Sequence, residues 1–383
     1  MSQNPLAQLA NYGQSFWYDN IHRAMISSGE LDGMLAQDDL RGITSNPTIF
    51  EKAITSSNDY DAQLGSLVRA HPSMNVRDYF FALAVEDIQA AADKLLPVYT
   101  RTQGADGYVS LEVSPDLAHD TQGTIAEAKS LHARLNRPNV MIKVPATKAG
   151  VPAVEELIAA GINVNVTLLF SVERYVEVGK AYINGLNRRH AHGQTVNGIA
   201  SVASFFISRV DAILDKNLGE KRASLGAADQ ARLDGMMGKT AILNAKIAYL
   251  RFQEMFGANF KVLSSAGATP QRLLWASTGT KDPKYKDTLY IDSLIGADTV
   301  NTIPPATVKA FRDHGTAAST LTLDMNKAEA QVAEIGKWVN IPAAMEQLEK
   351  EGVASFAKSF ETLLGAISAK IGALAPSAKS SAA

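Results

Sequence analysis

Lys143 stands inside the apolar run Val140-Met-Ile-Lys-Val144, where a strand buried on both faces would carry only hydrophobic residues. Glu112 interrupts Tyr108–Val113 in the same way, and Asn163, Asn165 and Thr167 alternate with Ile162, Val164 and Val166 in a third run. At a period of two, Ser110 and Glu112 share one face against Val109, Leu111 and Val113, and Lys143 projects with Met141 away from Val140, Ile142 and Val144. Polar groups gathered in one interior are costly unless they satisfy each other or a ligand. A lysine in a desolvated pocket becomes a nucleophilic amine, and its attack on a ketone gives a carbinolamine whose dehydration needs an acid. Glu112 is the neighbouring carboxylate that would relay the proton. The iminium formed is an electron sink, so the adjacent C–C bond breaks in a retro-aldol step. The plain alternative is a structural Lys143–Glu112 ion pair; the number of strands contributing polar groups favours chemistry.

These residues need a scaffold that brings separate strands together. Strands are predicted at Ser15–Tyr18, Gly42–Thr44, Tyr108–Val113, Val140–Val144, Ile162–Thr167, Ile199–Phe205, Leu273–Ser277 and Thr299–Ile303. Helices are predicted at Val76–Leu96, Thr121–Leu135, Pro152–Ala160, Ser171–Asn187, Gly238–Met255 and Pro305–Asp313. Strands separated by helices imply parallel βαβ units, and eight of them imply an α/β fold of the (β/α)8 TIM-barrel type. In such a barrel the polar residues near the C-terminal strand ends belong to the active face. The expected organisation is a single barrel over residues 1–370 with an N-terminal helical lead, followed by a disordered tail at 371–383.

Composition narrows the chemistry. The chain of 383 residues is 46% hydrophobic and carries a formal net charge of -2, which gives no basic footprint for nucleic acid. It has no cysteine, which removes disulfides, thiolate nucleophiles and Cys-based metal sites. The N-terminal residues do not read as a signal peptide, and Leu157–Val172 is interrupted by Gly161, Asn163 and Asn165, so neither secretion nor a membrane is expected and a cytoplasmic setting is. Gly238-Lys-Thr240 has the end of a phosphate-binding loop but not its upstream glycine, and reads as a helix start. Asn165-Val-Thr167 fits a glycosylation sequon inside a buried strand, and His190 and His192 sit beside Arg188 and Arg189 without metal-ligand spacing.

Four segments together, Gly42-Ile-Thr-Ser-Asn-Pro47, Ser110-Leu-Glu-Val113, Met141-Ile-Lys-Val-Pro145 and Gly161-Ile-Asn-Val-Asn-Val-Thr-Leu-Leu-Phe170, resemble the strand signatures of the transaldolase family. The likeness runs in order from about Phe16 to Pro304, and the Trp275–Lys281 segment resembles the longer bacterial subfamily. The resemblance implies that Lys143 forms the Schiff base, that Glu112 with Thr167 holds the water of imine formation and hydrolysis, and that Asp19 takes the proton from the C4 hydroxyl. It implies substrate contacts from Asn46, Asn165 and Ser204 and a phosphate contact from Arg209. Thr44, Ser110, Phe206 and Ser277 join the expected substrate-binding set. The second phosphate arginine of many family members falls on Gly279 here, and Lys281 nearby is expected to supply its charge, with backbone N–H groups of 277–280 beside it.

What the resemblance implies is reversible transfer of a dihydroxyacetone unit from sedoheptulose 7-phosphate to glyceraldehyde 3-phosphate, giving erythrose 4-phosphate and fructose 6-phosphate, in the pentose phosphate pathway. No metal and no organic cofactor are implied, the partners are sugar phosphates, and the assembly is a monomer or a homodimer. One rival is a fructose-6-phosphate aldolase, in whose branch a glutamine stands at the Glu112 position and a tyrosine at the Phe206 position. The other is a non-catalytic barrel that binds sugar phosphates.

Overall fold

The β-branched runs pair side by side in the computed structural model, which describes residues 4–374. The strands are β1 (Gln14–Tyr18), β2 (Gly42–Ile43), β3 (Tyr108–Glu112), β4 (Val140–Pro145), β5 (Val164–Leu169), β6 (Ser201–Phe206), β7 (Arg272–Ala276) and β8 (Thr299–Ile303). All pair in parallel, in sequence order, and β8 closes on β1, so the sheet is a (β/α)8 barrel. Apart from the lead-off position Arg272, every strand residue is buried, as expected for a sheet filled by side chains inside and covered by helices outside.

At the N-terminal end of the barrel Trp17 lies against Gly42, where a Cβ would come within 2.4 Å of the indole. Asp106 ties that end together: it accepts from Ser15 Oγ at 2.7 Å, Trp17 Nε1 at 3.1 Å and Arg272 Nη2 at 2.8 Å. A buried carboxylate is tolerable when its lone pairs are filled and a cation is adjacent. The lead-in is helical, Pro5–Gln8 followed by a 3-10 turn at Leu9–Tyr12.

Strand positions fall within two residues of expectation, and the differences have local causes. Thr44 lies just past β2, although its N–H still donates to the Tyr18 carbonyl at 2.9 Å. Ser277 lies outside β7 because its backbone turns left-handed (φ 56°), and the register between β5 and β6 shifts between Val166 and Leu169, with Leu168 at φ 59°. The helix expected to stop at Leu96 continues through Pro97 to Arg101. Proline removes one backbone donor, but Pro97 and Asp93, whose carbonyl is released, are both exposed, while Leu95 and Val98 anchor the turn in the core. The 238–240 turn does open a helix, Thr240–Met255, with Gly238 at φ 70° just ahead of it.

The last helix, Ile341–Leu374, extends four residues into the segment expected to be a tail; residues 375–383 lie outside the described residues. Its apolar stripe (Met345, Leu348, Phe356, Phe360, Leu363, Ile367) is buried at helical spacing. It packs on Pro47–Thr55 after β2, on the turn after β3, on β5 and on Ser208–Arg222 after β6, so it lies across the C-terminal rim of the barrel. Thr48 Oγ1 and Ser359 Oγ meet at 2.8 Å, and Lys370 pairs with Asp61 at 2.6 Å. Among the described residues no helix is long and apolar enough to cross a membrane.

Candidate active site

The parallel register assembles the core of the site. Glu112 of β3 pairs with Lys143 of β4, which pairs with Asn165 of β5, so three polar side chains stand in one row of the barrel. Lys143 is 4% exposed; its Nζ donates to the Ser45 carbonyl at 3.0 Å and lies 3.6 Å from Glu112 Oε2, an ionic contact longer than a hydrogen bond. Burial pushes the Glu112 carboxyl up to about 7, against the opposing pull of Lys143. Glu112 Oε2 and Thr167 Oγ1 are buried with no hydrogen-bond partner among the described residues.

A second layer is tied by its own hydrogen bonds. Ser204 Oγ donates to Asn165 Oδ1 at 2.7 Å, and Asn165 Nδ2 donates to Ser110 Oγ at 3.0 Å. That chain fixes the orientation of the Asn165 amide beside Lys143. On the other side, the N–H of Asp19 continues the ladder to the Ile303 carbonyl at 3.0 Å. Thr44 Oγ1 lies 2.7 Å from Asp19 Oδ1, to which it donates, and 2.6 Å from Thr302 Oγ1. Burial raises the Asp19 carboxyl above its ordinary value, with Lys143, the Thr44 hydroxyl and Lys281 pulling it back.

These groups border a cavity of about 570 Å³ at the C-terminal end of the barrel. Asp19, Thr44, Asn46, Lys143, Ser204, Phe206, Arg209, Ser277 and Lys281 line it, whereas Glu112, Thr167, Asn165 and Ser110 lie behind that surface. Asn46 caps the helix Pro47–Thr55 by accepting from the Ile49 N–H at 3.0 Å, and this use of its oxygen leaves its NH₂ as the group offered to the cavity. Arg209, in the first turn of Ser208–Arg222, lies over the Phe206 ring at 5.6 Å.

The cavity also contains Lys52, Thr302 and Phe356, none of which stood out in the sequence. Lys52 sits on the helix that Asn46 caps, so the motif Gly42–Pro47 pointed to its helix although not to its direction. Arg209, Lys281 and Lys52 have no hydrogen bond or salt bridge through their charged ends among the described residues. Burial lowers the Arg209 guanidinium below its ordinary value; burial and then Arg209 itself do the same to Lys281. Three cations facing one cavity without a salt bridge among the described residues suit an anionic ligand group. At Gly279 a Cβ would stand 3.0 Å from Thr307 Oγ1, close enough that the hydroxyl would have to shift by a few tenths of an ångström.

The remaining sequence signals lie elsewhere. Asn165 and Thr167 are fully buried, which rules out their sequon as an accessible acceptor. Arg188 and Arg189 end the helix Val172–Ala191, where Arg188 pairs with Glu155 and Glu156. His190 is part of that last turn.

Residues 16–367 match the protein family described as Transaldolase/Fructose-6-phosphate aldolase. The chain is 44% identical over 382 residues to Transaldolase 2 of Nostoc punctiforme, covering 98% of this chain and 100% of that one. It is 47% identical over 369 residues to Transaldolase 1 of Streptomyces avermitilis, covering 96% and 95%. With the Transaldolase of Neisseria gonorrhoeae it shares 46% identity over 361 residues, covering 94% and 98%.

Proposed function

The chain belongs to the transaldolase/fructose-6-phosphate aldolase family and is an enzyme of the transaldolase kind, and from that premise we propose how its residues divide the work. The Lys143 amine attacks the C2 carbonyl of a ketose phosphate and forms a carbinolamine. Glu112 supplies the proton with which the C2 oxygen leaves as water, and the lysine is then bound as an iminium. Glu112 Oε2 and Thr167 Oγ1, both without partners, are suited to holding that water between them.

Asp19 then takes the proton from the C4 hydroxyl. The C3–C4 bond breaks, its electron pair moves into the iminium, and an aldose phosphate leaves while a three-carbon enamine stays on Lys143. Addition of the enamine carbon to a second aldose phosphate, with Asp19 returning the proton, reverses the sequence. Hydrolysis of the new iminium releases the product ketose phosphate. Asn46 and Ser204 hold substrate hydroxyls; Arg209, Lys281 and Lys52 hold the phosphate. Asn165 and Ser110, bonded to each other behind the cavity surface, act by orienting Ser204 and the reacting centre. The preferred pair of reactions is sedoheptulose 7-phosphate with glyceraldehyde 3-phosphate, and fructose 6-phosphate with erythrose 4-phosphate, in a cytoplasmic setting.

One observation carries the reading. A buried lysine 3.6 Å from a carboxylate of raised pKa opens on the same cavity as three cations that form no salt bridge among the described residues. Transfer is favoured over release because Glu112 and Phe206 both stand where the aldolase branch carries other groups, and Phe206, packed on Phe170 at 5.2 Å, offers no hydroxyl to the reacting centre.

Borohydride reduction in the presence of fructose 6-phosphate tests the assignment. The expected result is a mass increase on the peptide that contains Lys143. A folded sample that shows no adduct there would overturn it. Accumulation of free dihydroxyacetone without an acceptor would instead favour the aldolase reading.

A further inference from the structure

Lys281 borders two spaces at once. One is the cavity of the reacting groups; the other is a cleft of about 580 Å³ between the helix Ser208–Arg222 and the segment that follows β7. An ammonium on a flexible stem serves a phosphate only if its segment is held in place. Between Gly279 and Tyr285, one hydrogen bond leaves the segment for the rest of the fold among the described residues: Tyr285 OH donates to Asp215 Oδ2 at 2.7 Å. The other bonds there, Lys284 N–H to Asp282 Oδ1 and Tyr285 N–H to the Asp282 carbonyl, are internal.

Asp215 lies about one and two-thirds turns beyond Arg209 on the same helix. Both of its oxygens accept the Gly238 N–H, at 3.0 and 3.1 Å, so its carboxylate is fixed before Tyr285 reaches it. Gly238 is also what admits the tyrosine: a Cβ at that left-handed position would come within 2.7 Å of the Tyr285 ring. One turn earlier, Asp211 repeats the arrangement, accepting from Tyr290 OH at 2.9 Å and from the Ala241 N–H at 2.7 Å.

We propose that Tyr285 and Asp215 are positioning residues for Lys281: their hydrogen bond fastens the segment carrying Lys281 to the helix carrying Arg209, and thereby sets the spacing of the two cations that hold the substrate phosphate. The inference rests on the phosphate role given above to Arg209 and Lys281. Neither Tyr285 nor Asp215 touches substrate. Their effect is confined to ligands that carry a phosphate, and it passes through Lys281.

Steady-state kinetics of Tyr285→Phe, with erythrose 4-phosphate and with erythrose as acceptors, tests this. The variant loses one hydroxyl and keeps the ring against Gly238. The expected result is a roughly fivefold rise in KM for erythrose 4-phosphate, the net scale of one typical hydrogen bond, with kcat unchanged and erythrose unaffected. In a Lys281→Ala background the same substitution should change nothing further. Equal losses for both acceptors, no loss at all, or a loss that persists without Lys281 would overturn the inference. Arg209→Ala separates the two levels. If it treats both acceptors alike, the phosphate reading itself falls and the inference with it; if it discriminates while Tyr285→Phe does not, only the inference falls.

Discussion

Lys143 and Glu112 are register partners across the β3–β4 ladder, and their charged ends meet at 3.6 Å with almost no exposure to water. Glu112 is therefore a carboxyl whose folded-state value, about 7, lies above the ordinary 4.5 chiefly because of burial. Between those two values the folded chain binds a proton that the unfolded chain has lost, so stability falls as pH rises. The contribution is fully present below pH 4.5 and is gone above about 7. Glu112→Gln removes this titration. The stability difference between wild type and variant should move against wild type by about 3 kcal/mol across that window and then level off. Chemical denaturation at a series of pH values measures it, and a difference independent of pH would refute the assignment. The variant should also lose activity, because an amide cannot supply the proton for dehydration and Phe206 offers no hydroxyl in its place, unlike the tyrosine that accompanies glutamine in the aldolase branch.

Asp19 is expected to act after the imine has formed. Its carboxylate accepts the Thr44 hydroxyl at 2.7 Å, a bond that an asparagine oxygen can still accept. Asp19→Asn should therefore keep the cavity intact while kcat falls by about 10²–10⁴, the usual range for a lost general base. Borohydride should still trap the ketose phosphate on Lys143 in this variant. A variant that cannot be trapped would assign Asp19 to imine formation instead.

The cations should divide by their exposure. Arg209 is half-buried and lies over the Phe206 ring, while Lys52 lies at the exposed rim. Arg209→Ala should raise KM for phosphorylated substrates by roughly 30- to 100-fold, the loss of a buried charge-assisted pair. Lys52→Ala should raise it only about threefold, and the effect should shrink as salt is added, because rim charges are screened. KM values at about 20 mM and about 300 mM salt, on either side of physiological screening, test both. A Lys52 effect that ignores salt would place its ammonium in direct contact with the phosphate.

The barrel was legible because its strands carry the alternation that positions the site: Ser110 and Glu112, Lys143, then Asn165 and Thr167 all break apolar runs on the inward face. Lys52 was not, because an exposed lysine on a short helix reads like any solvated charge. Only tertiary structure brings it to the cavity that holds Arg209. The same holds for Tyr285 and Asp215, whose bond spans 70 residues. The stripe Met345, Leu348, Phe356, Phe360, Leu363 and Ile367 has helical spacing in the sequence, but nothing local tells that the helix docks across the barrel rim.

That docking separates two phenylalanines one turn apart. Phe356 lines the cavity, whereas Phe360 meets Phe80 edge-on at 5.6 Å, and Phe80 meets Phe50 in the same manner. Both are buried, at 5% exposure. Phe360→Ala removes the ring that locks the C-terminal helix to Val76–Arg101 and should cost about 3–5 kcal/mol of stability, the range for a buried aromatic. Its effect on kinetics should appear only as lost folded enzyme. Phe356→Ala also costs stability, but it enlarges the cavity beside the substrate and should raise KM in protein that is still fully folded. Unfolding curves and KM measured on both variants distinguish the roles. If Phe360→Ala changed KM as much as Phe356→Ala at equal folded fraction, the helix would shape the cavity as a whole rather than through Phe356.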